Sequence, residues 1–117
     1  MIIKNLITFL PTLDLDKTAR FYEDILELEI YKDQGDCLIY KSCENAYIGF
    51  CLRPFNFVEG KIILTLIVND VDETYYSLSQ KVTSVDISPP KLNEKYNIYH
   101  FFINDPNGYL IEIQKFL

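Results

Sequence analysis

DLDKT at residues 14–18 returns as DVDET at 70–74, and ENAYIGFC at 44–51 returns as PNGYLIEI at 106–113. The second pair shares a turn asparagine followed two residues later by a tyrosine. A repeat of about 56–62 residues in only two copies is not a solenoid, which needs at least about three units to bury a continuous core. Two similar modules, each with one apolar sheet face to cover, are the simpler outcome.

The element order supports this. Residues 6–12 read as a strand. Asp14 then caps a helix with Lys17 to Leu26 as its body, and Ala19, Tyr22, Ile25 and Leu26 fall on one stripe. A hairpin follows at 36–42 and 46–53, around CENA, and Phe55 to Gly60 reads as a link. A second strand covers 61–69, and Asp70 or Asp72 caps a helix running to about Val82. After a loop with Pro89 and Pro90, a hairpin closes the chain around Asp-Pro-Asn-Gly at 105–108. Strand, helix, strands thus occurs twice, with module 1 at about 1–57 and module 2 at about 58–117. The expected class is α+β: one domain with a curved eight-stranded mixed sheet around a cleft, helices outside. A cleft between half-domains is a usual place for a small-molecule site.

Composition narrows the ligand. Of 117 residues, 49% are apolar and 24% charged, with nine tyrosines, eight phenylalanines and no tryptophan. So many rings build a core or line a cleft. The net charge is −6 without a Lys/Arg cluster, which argues against nucleic acid and anionic membranes and suits a cationic or neutral ligand. Cys37, Cys43 and Cys51 follow no metal-ligand spacing and read as reduced thiols of a cytoplasmic protein. The apolar N-terminus is broken by Pro11 and Asp14 and has no small-residue cleavage site, so no membrane anchor is expected.

One residue resists packing. Glu112 stands inside the apolar return strand of the closing hairpin, where a carboxylate is costly unless wet, paired or bound to a cation. Two readings stay open: a half-exposed strand carboxylate that faces water or a lysine, and a cleft anion that receives a donor or cationic group of a ligand. With the turn at 105–108, Phe101 faces Glu112, and alternation turns His100, the only histidine, to the opposite side unless a bulge reverses it. Strand parity makes Phe9, Ile39, Phe50, Ile63, Thr65, Phe101 and Glu112 the inward-facing candidates for ligand binding. Phe55 and Phe57, on the link, are placed to close over them. For each Phe or Ile the alternative is plain core. There is no Gly-rich phosphate loop, no Ser-x-x-Lys or G-x-S-x-G element, and no histidine near a cysteine, so no catalytic residue is assigned.

FLPTLDLDKTARFYEDILELEI at 9–30 resembles the opening of the vicinal oxygen chelate superfamily, which contains glyoxalase I, extradiol dioxygenases and bleomycin-resistance proteins. FFINDPNGYLIEI at 101–113 resembles its closing hairpin, and the Leu-Pro with no early histidine is most similar to the bleomycin-resistance branch. The resemblance implies two paired βαβββ modules and a homodimer whose clefts are formed with help from the partner chain. It also implies, for the catalytic members, a divalent metal held from the first and last strands of each module. Glu112 matches one such position; its mates are Phe50, Ile7 or Thr8, and Ile63 or Leu64. A catalytic metal normally wants about three protein ligands, so the metal expectation fails on ligand count and no cofactor is expected. Glu112 can also be a relic of a metal-binding ancestor. The implied function is a metal-free small-molecule-binding protein for drug or metabolite sequestration, taking a cationic or aromatic organic ligand. Its rival is a metal-dependent lyase, isomerase or dioxygenase of the same superfamily.

Overall fold

Asp14 and Asp70, the repeated aspartates, each end a strand and start a helix. The Asp14 carboxylate accepts from the Lys17 amide at 3.0 Å, and Asp70 accepts from the Glu73 amide at 3.0 Å. Both take extended backbone angles, as N-cap residues do. One turn on, the hydroxyls of Thr18 and Thr74 donate to the carbonyls of Asp14 and Asp70 at 2.9 and 2.8 Å. The choice between Asp70 and Asp72 is thereby settled; the Asp72 carboxylate accepts the Tyr99 hydroxyl at 2.6 Å instead.

The computed structural model describes residues 1–56 and 61–117 and divides into two units, Met1–Asn56 and Phe57–Leu117. Phe57 lies outside the described residues. In the first unit, β1 (Leu6–Thr12), β2 (Glu29–Asp33), β3 (Cys37–Cys43) and β4 (Ala46–Leu52) form a sheet in the order β1-β4-β3-β2. β1 runs parallel to β4, and the other pairs are antiparallel. In the second unit, β5 (Ile63–Ile67), β6 (Lys91–Asn93), β7 (Ile98–Asn104) and β8 (Leu110–Phe116) repeat the arrangement as β5-β8-β7-β6. Each unit is a βαβββ module, and the fold is α+β with eight strands in two four-stranded mixed sheets.

In the first unit, the helix α1 (Leu15–Ala19) continues as a π-helical stretch over Arg20–Ile25. The Leu26 amide reaches back five residues to the Phe21 carbonyl at 3.0 Å. This segment buries two adjacent rings, Phe21 and Tyr22. Tyr22 packs against Phe50 and Tyr40, with centroids 4.5 and 5.8 Å apart. The Tyr40 hydroxyl donates to Glu23 at 2.8 Å, tying β3 to the helical segment. Burial first, and then the Glu23 carboxylate, push the Tyr40 phenol well above its ordinary range. Phe50 is therefore core beneath the helix, which corrects its placement on an inward cleft face.

Cys37 and Cys51 are register partners on β3 and β4 and are joined by a disulfide. The expectation of three reduced thiols is corrected: Cys43 alone is free. Residues 14 apart in sequence meet only because the hairpin pairs them, and no spacing rule shows that.

In the second unit, α2 (Val71–Ser79) is shorter than the helix expected to Val82. Val71 and Leu78 are buried, and Tyr75 lies edge-on to Phe101 at 5.3 Å. These positions form the stripe i, i+4, i+7 that faces a sheet. The β7–β8 connection is where the sequence expectation slips. Asp105, buried, accepts the amides of both Asn107 and Tyr109 at 2.8 Å. The Asp105 amide in turn donates to the Tyr109 carbonyl at 3.0 Å. Gly108, at φ +90°, supplies the left-handed step. The loop is thus five residues, Asp105 to Tyr109, and the flanking pair is Asn104 with Leu110. Phe102, not Phe101, stands opposite Glu112.

Replacing an exposed cap and a buried loop anchor should have unequal costs. Asp14→Ala is expected to lose about 1 kcal/mol, the usual worth of an N-cap. Asp105→Ala strands two buried amides and is expected to lose more, about 2–3 kcal/mol. Urea unfolding of both variants checks the order; equal losses would mean that the loop does not depend on the Asp105 carboxylate.

Candidate functional site: the open face of the second sheet

Successive strand residues point to opposite faces. In the second unit α2 takes one face, with Phe101, Ile103, Ile111 and Ile113 at 0–2% exposure among its core residues. The other face carries Ile63 and Thr65 from β5, Glu112 and Gln114 from β8, and His100 and Phe102 from β7. The one-residue difference in hairpin register decides this, because a slip of one residue exchanges the two faces of a strand.

Glu112 is only 9% exposed and is satisfied by side chains alone. The Thr65 hydroxyl donates to its Oε1 at 2.7 Å. Gln114 Nε2 donates to Oε2 at 3.0 Å, and His100 Nδ1 lies 2.6 Å from the same oxygen. A carboxylate has about four acceptor positions, so three donors nearly fill it. Burial by itself raises the Glu112 carboxyl. The bonds from His100, Thr65 and Gln114 outweigh that and hold it below its ordinary value of 4.5. Glu112 is therefore an ionised anchor of a polar cluster. Among the described residues, no buried side-chain nitrogen or oxygen lacks a partner.

Around this cluster lies a groove of about 520 Å³, within the range of small-molecule pockets. His100, Phe102, Glu112 and Gln114 line its polar side, and Phe102 meets the imidazole edge-on at 5.1 Å. Ile63, Ile98, Tyr96 and Phe116 supply apolar surface, with Asn93 at the β6 side. Ile63 is 49% exposed and Phe116 65% exposed, so this face is open in the chain.

The sequence-derived candidates are dispersed by the fold. Ile63, Thr65 and Glu112 share this face of the second unit. Phe101 does not: it is 1% exposed and packs under α2, which corrects its assignment opposite Glu112. Phe9 and Ile39 lie on the face of the first sheet that does not carry Phe50, with Gly49 as register partner of both. Phe55 follows β4, half-buried. His100, expected on the opposite face, lies 2.6 Å from Glu112, because the loop is one residue longer than Asp-Pro-Asn-Gly. Phe102 and Ile98, on β7, were missed for the same reason, and the signal that finds them is the aspartate-anchored five-residue loop. Gln114 and Phe116 stand two and four residues after Glu112 on β8, and strand alternation alone places them on its face.

The described residues lining the groove offer fewer donors than a catalytic metal normally wants. Glu112 and His100 are the only His, Cys, Asp or Glu side chains among the described residues lining the groove. His100 Nδ1 is already directed at Glu112. No group of three or more His, Cys, Asp or Glu residues arranged to hold a metal occurs among the described residues. No helix there is long and apolar enough to cross a membrane.

Several solved structures share the fold. An antibiotic-binding protein, TnmS3, from Streptomyces sp. CB03234 superposes with a TM-score of 0.81 at 19% identity, covering 99% of this chain and 98% of that one. A bleomycin resistance determinant encoded on transposon Tn5 gives 0.76 at 20% identity, with 96% and 97% covered. A bleomycin-binding protein in complex with bleomycin gives 0.75 at 22% identity, with 92% and 93% covered. At such identities the likeness concerns the fold. No curated protein sequence matches the chain. The family model for the glyoxalase/bleomycin resistance protein/dioxygenase superfamily matches residues 5–113. With nearly the whole chain matched and both βαβββ modules in place, this protein belongs to the glyoxalase/bleomycin resistance protein/dioxygenase superfamily.

Proposed function

We propose that this protein binds a small aromatic organic molecule in the groove of its second unit, without a metal, as a sequestering protein. The observation that carries the reading is the contrast within that groove. The Glu112 carboxylate is satisfied within its polar cluster, and the remaining lining is aromatic and aliphatic apart from Asn93. Apolar burial and ring stacking supply affinity in such a site, while a few placed polar groups supply orientation. Binding of antibiotics by structurally similar proteins supports the same reading. With three donors on its oxygens, Glu112 has little left for an ammonium group, so an aromatic ligand is favoured over a cationic one.

A homodimer belongs to this reading. Leu6 and Phe9 on β1, and Ile63 and Ile67 on β5, are 49–65% exposed. Apolar side chains in that number on the end strand of each sheet are surface that a second copy would cover. Against the rival, a metal-dependent enzyme, speaks the small number of donors among the described residues lining the groove.

The chain contains no tryptophan, so Phe116→Trp places a single reporter on the groove rim. Titration with a panel of flat aromatic compounds, bleomycin included, should produce a saturable change in its emission. A panel without any saturable response would overturn the groove as a binding site. Addition of Mn, Fe, Ni or Zn should leave the melting temperature unchanged, whereas a metal-dependent rise would reveal a tight site through linkage and favour the enzyme.

The depressed Glu112 carboxyl has a signed consequence. A carboxylate whose folded-state pKa lies below its unfolded value stabilises the fold above that value, and the contribution disappears as pH falls through the folded pKa. The stability difference between wild type and Glu112→Gln should therefore be largest above pH 4.5, the ordinary value, and shrink on acidification. A difference that is constant across that range would mean that the charge of Glu112 contributes nothing to folding.

A further inference from the structure

Among the polar atoms that the Glu112 cluster leaves over in the groove is a ring nitrogen of His100. His100 directs Nδ1 at Glu112 Oε2, 2.6 Å away, and among the described residues its ring makes no other hydrogen bond. The side chain is 14% exposed and lines the groove. An acceptor oxygen at that distance forces a hydrogen onto Nδ1, because two lone pairs cannot face each other there. In the neutral imidazole the remaining nitrogen, Nε2, then carries the lone pair and is an acceptor. The carboxylate cannot turn away to choose another state, because Thr65 and Gln114 hold both of its oxygens. Phe102 packs edge-on against the ring and fixes its plane.

We infer that His100 Nε2 is the specificity element of the groove and selects a flat apolar ligand bearing one O–H or N–H donor, of the phenol, enol or N–H heteroaromatic class. Glu112 is the positioning residue: it sets the tautomer and does not meet the ligand. The apolar lining by Ile63, Ile98 and Phe116 excludes water from the bond once a planar ring is seated, which makes a missing donor costly. This inference rests on the groove binding an aromatic molecule, as proposed above, and adds which one.

The sole histidine of the chain makes the test direct. A long-range proton–nitrogen correlation spectrum of the wild-type protein should show the Nδ1–H tautomer. Naphthol should move the Nε2 signal, and methoxynaphthalene, of nearly the same shape but without the donor, should not. By calorimetry naphthol should bind about three- to tenfold more tightly, the range of one net hydrogen bond. His100→Phe should abolish that preference while still binding methoxynaphthalene. A hydrogen on Nε2, whether in the other tautomer or in the imidazolium, equal affinities for the two compounds, or a preference that survives His100→Phe would each overturn the inference. If both compounds bind equally, the groove reading stands and only the donor selection falls. If neither binds to the wild type, both fall together. The spectrum needs no variant, so the inference is exposed to refutation even if His100→Phe does not fold.

Discussion

Asp105 decides what the second sheet presents. Its carboxylate collects the amides of Asn107 and Tyr109 and holds the hairpin loop at five residues. Burial, and then the Asp105 charge, push the Tyr109 phenol up to about 12, so the tyrosine stays neutral beside it. Side chains alternate with a period of two. A loop one residue longer than Asp-Pro-Asn-Gly alone therefore exchanges the faces of β7 relative to β8. Phe101 and Ile103 go under α2, and His100 and Phe102 arrive beside Glu112. The β7 side of the groove, Ile98, His100 and Phe102, depends on that exchange.

Once His100 is in place, the anomaly of Glu112 is resolved by satisfaction, not by solvent or a lysine. A nearly buried carboxylate with three donors is a stable arrangement, and the bonds outweigh the desolvation that opposes its charge. In the function proposed above, the same bonds leave Glu112 little capacity for a ligand and make it the group that orients His100, a division of labour common where a carboxylate backs a histidine. The superfamily scaffold supplies the strand position; the chemistry at it is set by this chain's own neighbours, and function follows the site and not the fold.

The repeat was legible, and it also misled. Aligned by their tyrosines, ENAYIGFC and PNGYLIEI set Phe50 against Glu112. In the sheets, Thr65 pairs with Glu112, and its counterpart Phe9 pairs with Gly49. The true mate of Glu112 is Gly49, and the alignment is off by the residue that Asp105 adds. Gly49 shows why the two faces differ: a Cβ there would lie 2.6 Å from the Phe9 ring, so the first unit seats an aromatic where the second holds a carboxylate. The strands β2 and β6 had no pattern to read. β2 is exposed throughout and β6 nearly so, and an edge strand without a buried face lacks alternation.

Local chemistry was enough for whatever depends on near neighbours. The aspartate caps, the threonines one turn on, the α2 stripe and the strand-helix-strands order repeated twice all follow from residues within about a turn or a strand of one another. The resemblance carried by the two quoted segments pointed to the right superfamily. Contacts across strands were decided only in three dimensions: the Cys37–Cys51 bridge, the burial of Phe50 and Phe101 beneath helices, and the meeting of His100 with Glu112. The physical reason is common to all three. Which residues meet across a sheet depends on register, and register depends on the connecting loop; in the second unit that loop is fixed by where one buried aspartate, Asp105, places its hydrogen bonds.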